Sequence, residues 1–453
     1  MFLPIRRGFA KPVAMKTIGR LALAVTALLG GAARAETIEL RAGRLVDPAS
    51  RRITYDRLLT LTDGRITADR PWRAGKHPHL IDWSGKWVVP GLIDLHTHVA
   101  DGYGQSNDPA EPLKHSEAAT ILSGARQARI MLHSGFTTVR DVGVYRGLTD
   151  VALRDAIVKG DVEGPRMIVA GGYITIPGGG GAVTGAPPGT VIGPEFRIGE
   201  VRNADEARAR VDYLIGHGAD FIKLIATGAV LAVGSEPGAL ELTPAEMQAA
   251  CDEAKRLGRY CIAHAHGAEG IKAAIRAGVR TVEHASLVDD EGLAMAKAAH
   301  VWLDMDIYDG DWINEVGARD HWPAEYLRKN VETTDAQRNG FAKAVRLGVP
   351  LTFGTDAGVY PHGLGARQFS YMVRLGMTPI QALASATSEA AKALDRPELG
   401  GVTPGHVADL VALDRDPTRD ITGLQCVAGV VQGGHVVARP DAVARCDPWR
   451  IPK

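Results

Sequence analysis

The amino-acid sequence predicts an α/β protein in which a (β/α)8, TIM-type barrel lies beside a small β-sandwich domain built from both chain ends. Between residues 91 and 395, short apolar strand-like runs alternate with helical segments about eight times. Strand-like segments without helical periodicity flank this region, at 36–90 and 396–453. A doubly wound open sheet would produce the same alternation, so the periodicity alone leaves both architectures open.

The composition of the 453 residues fits an ordinary soluble globular protein, with one large domain and an accessory one. Basic and acidic residues balance at 52 each, and 45% of the residues are hydrophobic. Because there is no excess of positive charge, a polyanionic partner such as nucleic acid is not indicated.

The first 35 residues have the pattern of a signal peptide. Basic residues precede an apolar run at 21–29, and Ala33-Arg34-Ala35 is a small-x-small cleavage site. The apolar run is much shorter than the roughly 20 residues that a membrane span needs. We therefore expect an exported, periplasmic protein whose mature chain starts near Glu36 and has no membrane span.

Two details of this export remain open in the sequence. Met15 would by itself begin an ordinary signal peptide, so residues 1–14 are either part of the signal or an upstream extension. Arg6-Arg7 resembles a twin-arginine export signal, so the Tat route stands beside the Sec route.

The two flanking segments are predicted to join into one β-domain. An Asp63-Gly64 turn follows the second apolar run of the N-terminal segment, as in a β-hairpin. The predicted strands of this domain are 38–41, 58–61, 408–413, 426–430 and 435–438. Export permits a disulfide, and Cys426 with Cys446 is the more plausible pair because both lie in the C-terminal segment, but the sequence leaves open whether they are bonded.

The barrel region supplies a strand and then a helix in each unit. Its fourth helix has a clear start, because Thr243 and Glu246 have the spacing of a capping box. The predicted strands are 91–98, 136–140, 166–170, 221–225, 260–264, 281–284, 301–305 and 350–356. The predicted helices are 117–134, 151–159, 205–216, 244–257, 271–277, 293–299, 336–347 and 379–394.

Histidines and an aspartate mark the ends of several predicted barrel strands. His96 and His98 are two residues apart on the first strand, so their side chains point the same way. His264, His284 and Asp356 end the fifth, sixth and eighth strands. Because barrel chemistry occurs at the C-terminal strand ends, these residues predict a common metal site.

Lys223 is the unusual member of this set, since it lies inside the apolar run 221–225. A buried lysine keeps its charge only at a large cost in free energy unless it is paired or neutralised. Reaction with CO₂ to a carbamate would neutralise it and provide an oxygen ligand for two metals. An ion pair with a carboxylate such as Asp356 is the alternative.

These motifs together resemble the amidohydrolase superfamily over nearly the whole mature chain. More narrowly they resemble its imidazolonepropionase-like branch, which includes Xaa-Pro dipeptidase-like and carboxypeptidase-like enzymes and a bacterial ochratoxin-hydrolysing amidohydrolase. The segments that carry the resemblance are the Pro-Gly-Leu-Ile-Asp lead into His96 and His98, Lys223, Ala263-His264-Ala265-His266-Gly267, Glu283-His284-Ala285 and the stretch from Gly354 to Gly363.

The resemblance implies a set of roles at two metal sites. His96, His98 and Asp356 would bind one Zn²⁺, and His264 and His284 a second, with carboxylated Lys223 as the bridge; other divalent metals would fit the same donors. A metal-activated water would then attack an amide carbonyl, with Asp356 as general base and then acid. His266 would contact the substrate or the oxyanion, with a ligand role as the alternative. Further predicted substrate contacts are Arg140, Tyr145, Tyr360 and His362.

The function expected from this site is release of a C-terminal amino acid from a dipeptide or an N-acyl amino acid, with ochratoxin A as one candidate. The alternatives are hydrolysis of a cyclic amide, a deamination, and a barrel that binds metal without catalysis. The glycine-rich segment 178–181 is predicted to be either a cover for the site or a flexible surface loop. The resemblance also implies a homo-oligomer.

Overall fold

The computed structural model describes residues 37–101 and 108–437, whose strands form three hydrogen-bonded sheets. In chain order the strands are β1 (Thr37–Asp47), β2 (Arg52–Thr62), β3 (Arg65–Pro71), β4 (Leu80–Pro90), β5 (Leu92–Thr97), β6 (Phe136–Asp141), β7 (Arg166–Val169), β8 (Tyr173–Ile174), β9 (Ile222–Ile225), β10 (Cys261–Ala265), β11 (Thr281–His284), β12 (Trp302–Asp304), β13 (Leu351–Thr352), β14 (Leu410–Leu413), β15 (Val427–Gln432) and β16 (His435–Val436).

The helices of the described residues follow the barrel strands. They are α1 (Glu117–His133), α2 (Thr149–Lys159), α3 (Ala204–Gly216), α4 (Pro244–Arg256), α5 (Ala268–Arg276), α6 (Asp290–Ala299), α7 (Asp309–Trp312), α8 (Ala324–Leu347), α9 (Gln368–Arg374), α10 (Pro379–Ser385) and α11 (Ser388–Ala393).

Both chain ends contribute to one seven-stranded sheet, in the order β16-β15-β14-β4-β1-β2-β3. Strand β4 connects the N-terminal and C-terminal strands of this sheet, because it pairs parallel with β1 and antiparallel with β14. Leu40, Val88 and Leu410 are fully buried in the core of this domain. The prediction that the two flanking segments form one β-domain is therefore confirmed.

The remaining strands run parallel and close on themselves. The sheet β5-β6-β7 meets the sheet from β8 to β13 where Asp220 N–H donates to the Val169 carbonyl at 2.8 Å. On the other side, Leu95 N–H donates to the Phe353 carbonyl at 2.9 Å. These bonds close a barrel whose third strand is split into β7 and β8, so the barrel prediction is confirmed and an open sheet is excluded.

Two helices differ from the sequence prediction. The helix predicted at 336–347 is the second half of α8, which begins directly after Pro323. The helix predicted at 379–394 is divided into α10 and α11, because the backbone at Thr387 leaves the helical region at φ −139° and ψ −96°. By contrast, the predicted capping box of α4 is present, with Thr243 and Glu246 each bonded to the other's backbone N–H.

Several sequence predictions concern residues outside the described ranges. The predicted signal peptide, residues 1–35, is one of these, and Cys446 is another. Cys426 is disulfide-bonded, whereas Cys251 and Cys261 are free and buried. No helix within the described ranges is both long enough and apolar enough to cross a membrane.

Gly91 connects the β-domain to the first barrel strand at a point of close packing. Its N–H donates to the Asp409 carbonyl at 2.8 Å. A Cβ atom added at Gly91 would lie 2.1 Å from Thr137 Oγ1 and 2.8 Å from Asp409 Cβ. Both neighbours are buried, so neither has room to move away.

We expect Gly91→Ala to lower the free energy of unfolding by about 1–3 kcal/mol, as overpacking of a dense interior does. Urea unfolding followed by circular dichroism measures the change. Gly85→Ala is the matched control, because an added Cβ on this exposed strand residue meets nothing within 4 Å. Equal stability of the two variants would contradict the steric argument.

Candidate active site

A cavity at the C-terminal ends of the barrel strands collects all six predicted metal ligands. His266 and Tyr145, two of the predicted substrate contacts, line the same cavity. The six ligands in its lining are His96, His98, Lys223, His264, His284 and Asp356. Residues separated by most of the barrel sequence are thus brought to one place.

His96, His98 and Asp356 form the first half of the site. Oδ1 of Asp356 lies 3.3 Å from His96 Nε2 and 3.1 Å from His98 Nε2. Burial alone would raise the pKa of Asp356, but the adjacent imidazoles hold it below its usual range. The same contact outweighs burial at His98 and raises the pKa of that imidazole to about 9. The carboxylate is therefore kept ionised and available to a cation.

His264, His266 and His284 form the second half. Their rings are separated by 4.5–4.6 Å between centroids, and one nitrogen of each lies within 4.8 Å of the others. Burial lowers the pKa of His264 and His266 well below the usual value, with the charge of His284 as the next cause. Neutral imidazoles present lone pairs, so this group also suits a metal, and it includes His266 among the residues that could hold one.

Lys223, on β9, lines the same cavity as both halves of the site, with 2% of its surface exposed. Its Nζ has no hydrogen-bond partner among the described residues, so the alternative reading, an ion pair with Asp356, does not fit this position. Burial lowers the pKa of the lysine to about 8, although the charge of Glu283 acts in the opposite direction. A buried amine without a partner at this pKa has the properties that a ligand-forming lysine needs.

The histidines are held by bonds from the ring nitrogen that faces away from the cavity. Such outer bonds fix the ring orientation of a metal-binding imidazole and leave the other nitrogen free. They run from His98 Nδ1 to the Gly143 carbonyl (2.9 Å), from His264 Nε2 to the Gly228 carbonyl (3.1 Å) and from His284 Nδ1 to Asp306 Oδ2 (2.7 Å). Nδ1 of His264 and Nε2 of His284 carry no such outer bond, whereas Nε2 of His98 faces Asp356, the carboxylate of its own half of the site.

The backbone at two predicted ligands is strained. His284 and Asp356 have φ of +67° and +54°, a region that residues other than glycine seldom adopt. Gly358, at φ +131°, brings the loop after β13 so close to β5 that a Cβ atom there would lie 2.8 Å from His98 Cβ. The fold thus holds the ligands in place against a local conformational cost.

Asp94 connects the first strand to the loop that carries Asp356. It is fully buried, and its carboxylate accepts the His96 N–H at 3.2 Å and the Thr355 hydroxyl at 2.7 Å. Burial is the main cause that raises the pKa of Asp94 to about 7. The Asp94 carboxylate therefore holds the backbone of His96 at a fixed distance from the Thr355–Asp356 loop.

Arg140 was predicted as a substrate contact, but the structure places it beneath the site. Its side chain is fully buried and points into the barrel, where it donates to Glu283 (3.0 Å) and to the Leu95 carbonyl (2.7 Å) and lies 3.4 Å from Asp304. Nε and Nη2 of the guanidinium thus donate to internal partners, and the side chain is not part of the cavity lining. Glu283 in turn lies 3.2 Å from His96 Nδ1, so this ion cluster supports a predicted ligand.

Tyr360 and His362 also lie outside the cavity lining. Tyr360 is fully buried in an aromatic cluster, with its ring centroid 4.9 Å from that of Tyr308. His362 is 3% exposed, and burial lowers the pKa of its imidazole to about 3. The loop after β13 turns both side chains inward, so the prediction that they contact substrate does not fit their positions.

Gly180 and Gly181 of the glycine-rich segment line the cavity, which fits the first of the two alternatives predicted for that segment. The sequence prediction missed the polar residues that α8 contributes to the lining and two further aspartates. Asp306 had a sequence signal, because it follows the seventh strand in the same alternating pattern as His98. Asp309 had none, because it lies in α7, a short helix that no periodicity predicts.

Comparisons with known proteins agree with this geometry. A sequence model of the amidohydrolase family matches residues 87–437. The ochratoxinase of Aspergillus niger is 30% identical over 383 residues, which cover 80% of this chain and 77% of that protein.

Two solved structures resemble the chain over nearly their whole length. A Xaa-Pro dipeptidase with bound methionine in the active site superposes with a TM-score of 0.83 at 32% identity, covering 89% of this chain and all of that one. A prolidase complexed with N-methylphosphonate-L-proline superposes with a TM-score of 0.82 at 28% identity, with the same coverage.

The ion cluster beneath the site generates a stability prediction. Arg140→Met removes the guanidinium and leaves Glu283 and Asp304 buried without it, which should lower the free energy of unfolding by about 3–5 kcal/mol. The control is Arg129→Met, because Arg129 pairs with Glu163 at the surface and should contribute at most about 1 kcal/mol. Urea unfolding measures both, and a loss no larger than that of the control would refute this role.

Proposed function

Because this chain belongs to the amidohydrolase family, we propose that it uses two divalent metals to cleave an amide bond and release a C-terminal amino acid. The substrate would be a dipeptide or an N-acyl amino acid. The observation that carries this proposal is the convergence of six donor residues on one cavity, among them Lys223, whose Nζ has no hydrogen-bond partner among the described residues.

The donor set fits two metals of the zinc type. His96, His98 and Asp356 would hold one, and His264 and His284 the other, with a carbamate on Lys223 as a shared ligand. Neutral imidazoles and a carboxylate are the side chains that Zn²⁺ prefers. When bound, such metals lower the pKa of water and polarise the amide carbonyl.

Asp356 would be the residue that moves the proton. Its carboxylate lines the cavity and remains ionised, so it can accept a proton from the attacking water. The same carboxylate would then return the proton to the nitrogen of the leaving amine. Without this transfer the amine would leave as an anion, which is a far poorer leaving group.

His266 and Tyr145 are the predicted substrate contacts that line the cavity. His266 is held by a 2.8 Å bond between its Nδ1 and Ser286 Oγ, which sets the ring orientation. Its Nε2 would then donate to the carbonyl oxygen as negative charge develops there. The Tyr145 hydroxyl would donate to a carboxylate of the substrate.

The relatives support the substrate class in three ways. The solved dipeptidase holds methionine in its active site, and the prolidase is complexed with a phosphonate derivative of proline. The Aspergillus niger relative is an ochratoxinase, so ochratoxin A belongs among the test substrates. We further propose that the predicted signal peptide takes this activity to the periplasm.

Lys223→Ala tests the metal assignment. Removing a shared ligand should lower metal affinity and activity by more than the roughly 10–100-fold that loss of an outer-shell partner costs. Metal content by mass spectrometry, expected near two per wild-type chain, and amide hydrolysis are measured together. Lys392→Ala, at an exposed lysine of α11, is the matched control and should behave as wild type. Full activity of Lys223→Ala would exclude the bridging role.

A substrate panel tests the reaction. The zinc-loaded enzyme is given dipeptides, N-acyl amino acids, ochratoxin A, a cyclic imide and an aminopurine, and the released amino acid or ammonia is measured. We expect turnover of the linear amides. Turnover confined to the cyclic imide or the aminopurine would replace this proposal with cyclic amide hydrolysis or deamination.

A further inference from the structure

Part of the cavity wall is a long connection that contains neither a helix nor a strand. Residues 226–243 join β9 to α4, and an isolated β-bridge closes them into a loop. Residues 229–231 of this loop line the cavity, together with residues of α8. Connections of this length without regular structure are uncommon in compact domains and are often functional. We refer to residues 229–236 as the wall segment.

A buried lysine of α8 binds the wall segment. The side chain of Lys329 is fully buried, and its ammonium donates to the carbonyl oxygens of Ala232 and Ser235, the second at 2.8 Å. It also donates at 3.0 Å to Oε1 of Glu325, one turn earlier on the same helix. The same carboxylate oxygen accepts the Gly234 N–H at 2.9 Å. The three protons of the ammonium therefore have three acceptors inside the protein.

Lys329 acts on the cavity through its neighbours. Its own side chain is not part of the cavity lining, whereas Tyr326, Asn330 and Thr333 on the same helix are. A buried ammonium is costly in free energy unless it is paired and fully hydrogen-bonded, and here two of its three acceptors are carbonyls of the wall segment. The ammonium therefore fixes the distance between two parts of the cavity wall, α8 and the wall segment.

The residue that precedes the wall segment is held by a different bond. The N–H of Gly228 donates to the Ala239 carbonyl at 3.0 Å. The carbonyl of Gly228 is the acceptor that holds the ring of His264, one of the predicted metal ligands. Because neither bond involves Lys329, loss of the ammonium should release the wall segment and leave this histidine in place.

We propose that Lys329 is a positioning residue, which holds the wall segment against α8 and so keeps the side chains of Val230 and Leu231 in place to pack against the substrate. Both side chains line the cavity, and they offer apolar surface without a polar group. They would therefore contribute to substrate binding and not to the chemical step. The effect on catalysis rests on the proposed function, whereas the attachment of the wall segment does not.

Lys329→Met tests the kinetic effect, because methionine keeps most of the length of the side chain and removes its charge. With the metal-loaded full-length enzyme and the linear amide that it hydrolyses best, we expect KM to rise about tenfold or more, as loss of one charged hydrogen bond predicts. We expect kcat to stay within about twofold of wild type, with unchanged metal content. Lys343→Met is the matched control, because Lys343 on the same helix pairs with Asp290 at the surface, and KM should not change.

Limited proteolysis follows the wall segment itself and needs no substrate. Elastase, which cuts after small apolar residues, should cleave within 229–236 about tenfold faster or more in Lys329→Met than in wild type, because cleavage requires local opening. Mass spectrometry of the fragments identifies the cut. If Lys329→Met does not fold, Glu325→Ala takes its place in both assays, since it removes the partly exposed carboxylate that binds the ammonium and the Gly234 N–H. Both changes should then have the same direction.

The possible failures are distinguishable. Unchanged KM, or unchanged cleavage of the wall segment, would overturn the role of Lys329 and leave the proposed function standing. A loss of kcat or of metal without a rise in KM, or cleavage spread over the whole chain, would indicate a general structural role and overturn it as well. Absence of hydrolysis of every linear amide by the wild-type enzyme would overturn the proposed function and the kinetic effect, and proteolysis would still decide whether Lys329 holds the wall segment.

Discussion

Closure of the barrel between β5 and β13 is the constraint on which the geometry of the site depends. Asp94 and Thr355, which are 261 positions apart in the chain, are joined by a 2.7 Å hydrogen bond in the fully buried interior. His96 and His98 come from one side of this closure, and Asp356 from the other. A slip of one residue in β5 would turn both histidines away from the cavity, so strand register and metal geometry are a single requirement.

The ligand set could be predicted because it follows from rules that hold along the chain. Residues two apart on a strand share a face, and parallel barrel strands end on the same side, so His98, His264 and His284 had to meet once the barrel was recognised. Lys223 indicated the site for a different reason, since a charged side chain inside an apolar strand must be paired or neutralised. The fold followed from the same periodicity, and closure was the step that periodicity alone could not decide.

Some predicted substrate contacts lie outside the cavity lining because position along a strand does not give the direction of a long side chain. Arg140 is next to a strand end but points down to Glu283, and Tyr360 turns into an aromatic cluster. The first half of α8 was missed because buried polar residues such as Asn330 and Thr333 blur its apolar stripe. The position of Asp309 in the cavity lining depends on tertiary packing alone, and no local sequence pattern predicts it.

The seven-stranded sheet affects the order in which the chain folds. Strand β4 pairs with β14, so Pro90 lies opposite Leu410, and no contact of this kind can form until nearly the whole chain is available. Pairing of residues so distant in sequence is slow, because closing a long loop costs chain entropy before any contact forms. Until then β4 presents an unpaired edge, to which other chains can add. During synthesis, the strands made first therefore depend on a partner made last, and an incomplete chain is the species most exposed to aggregation.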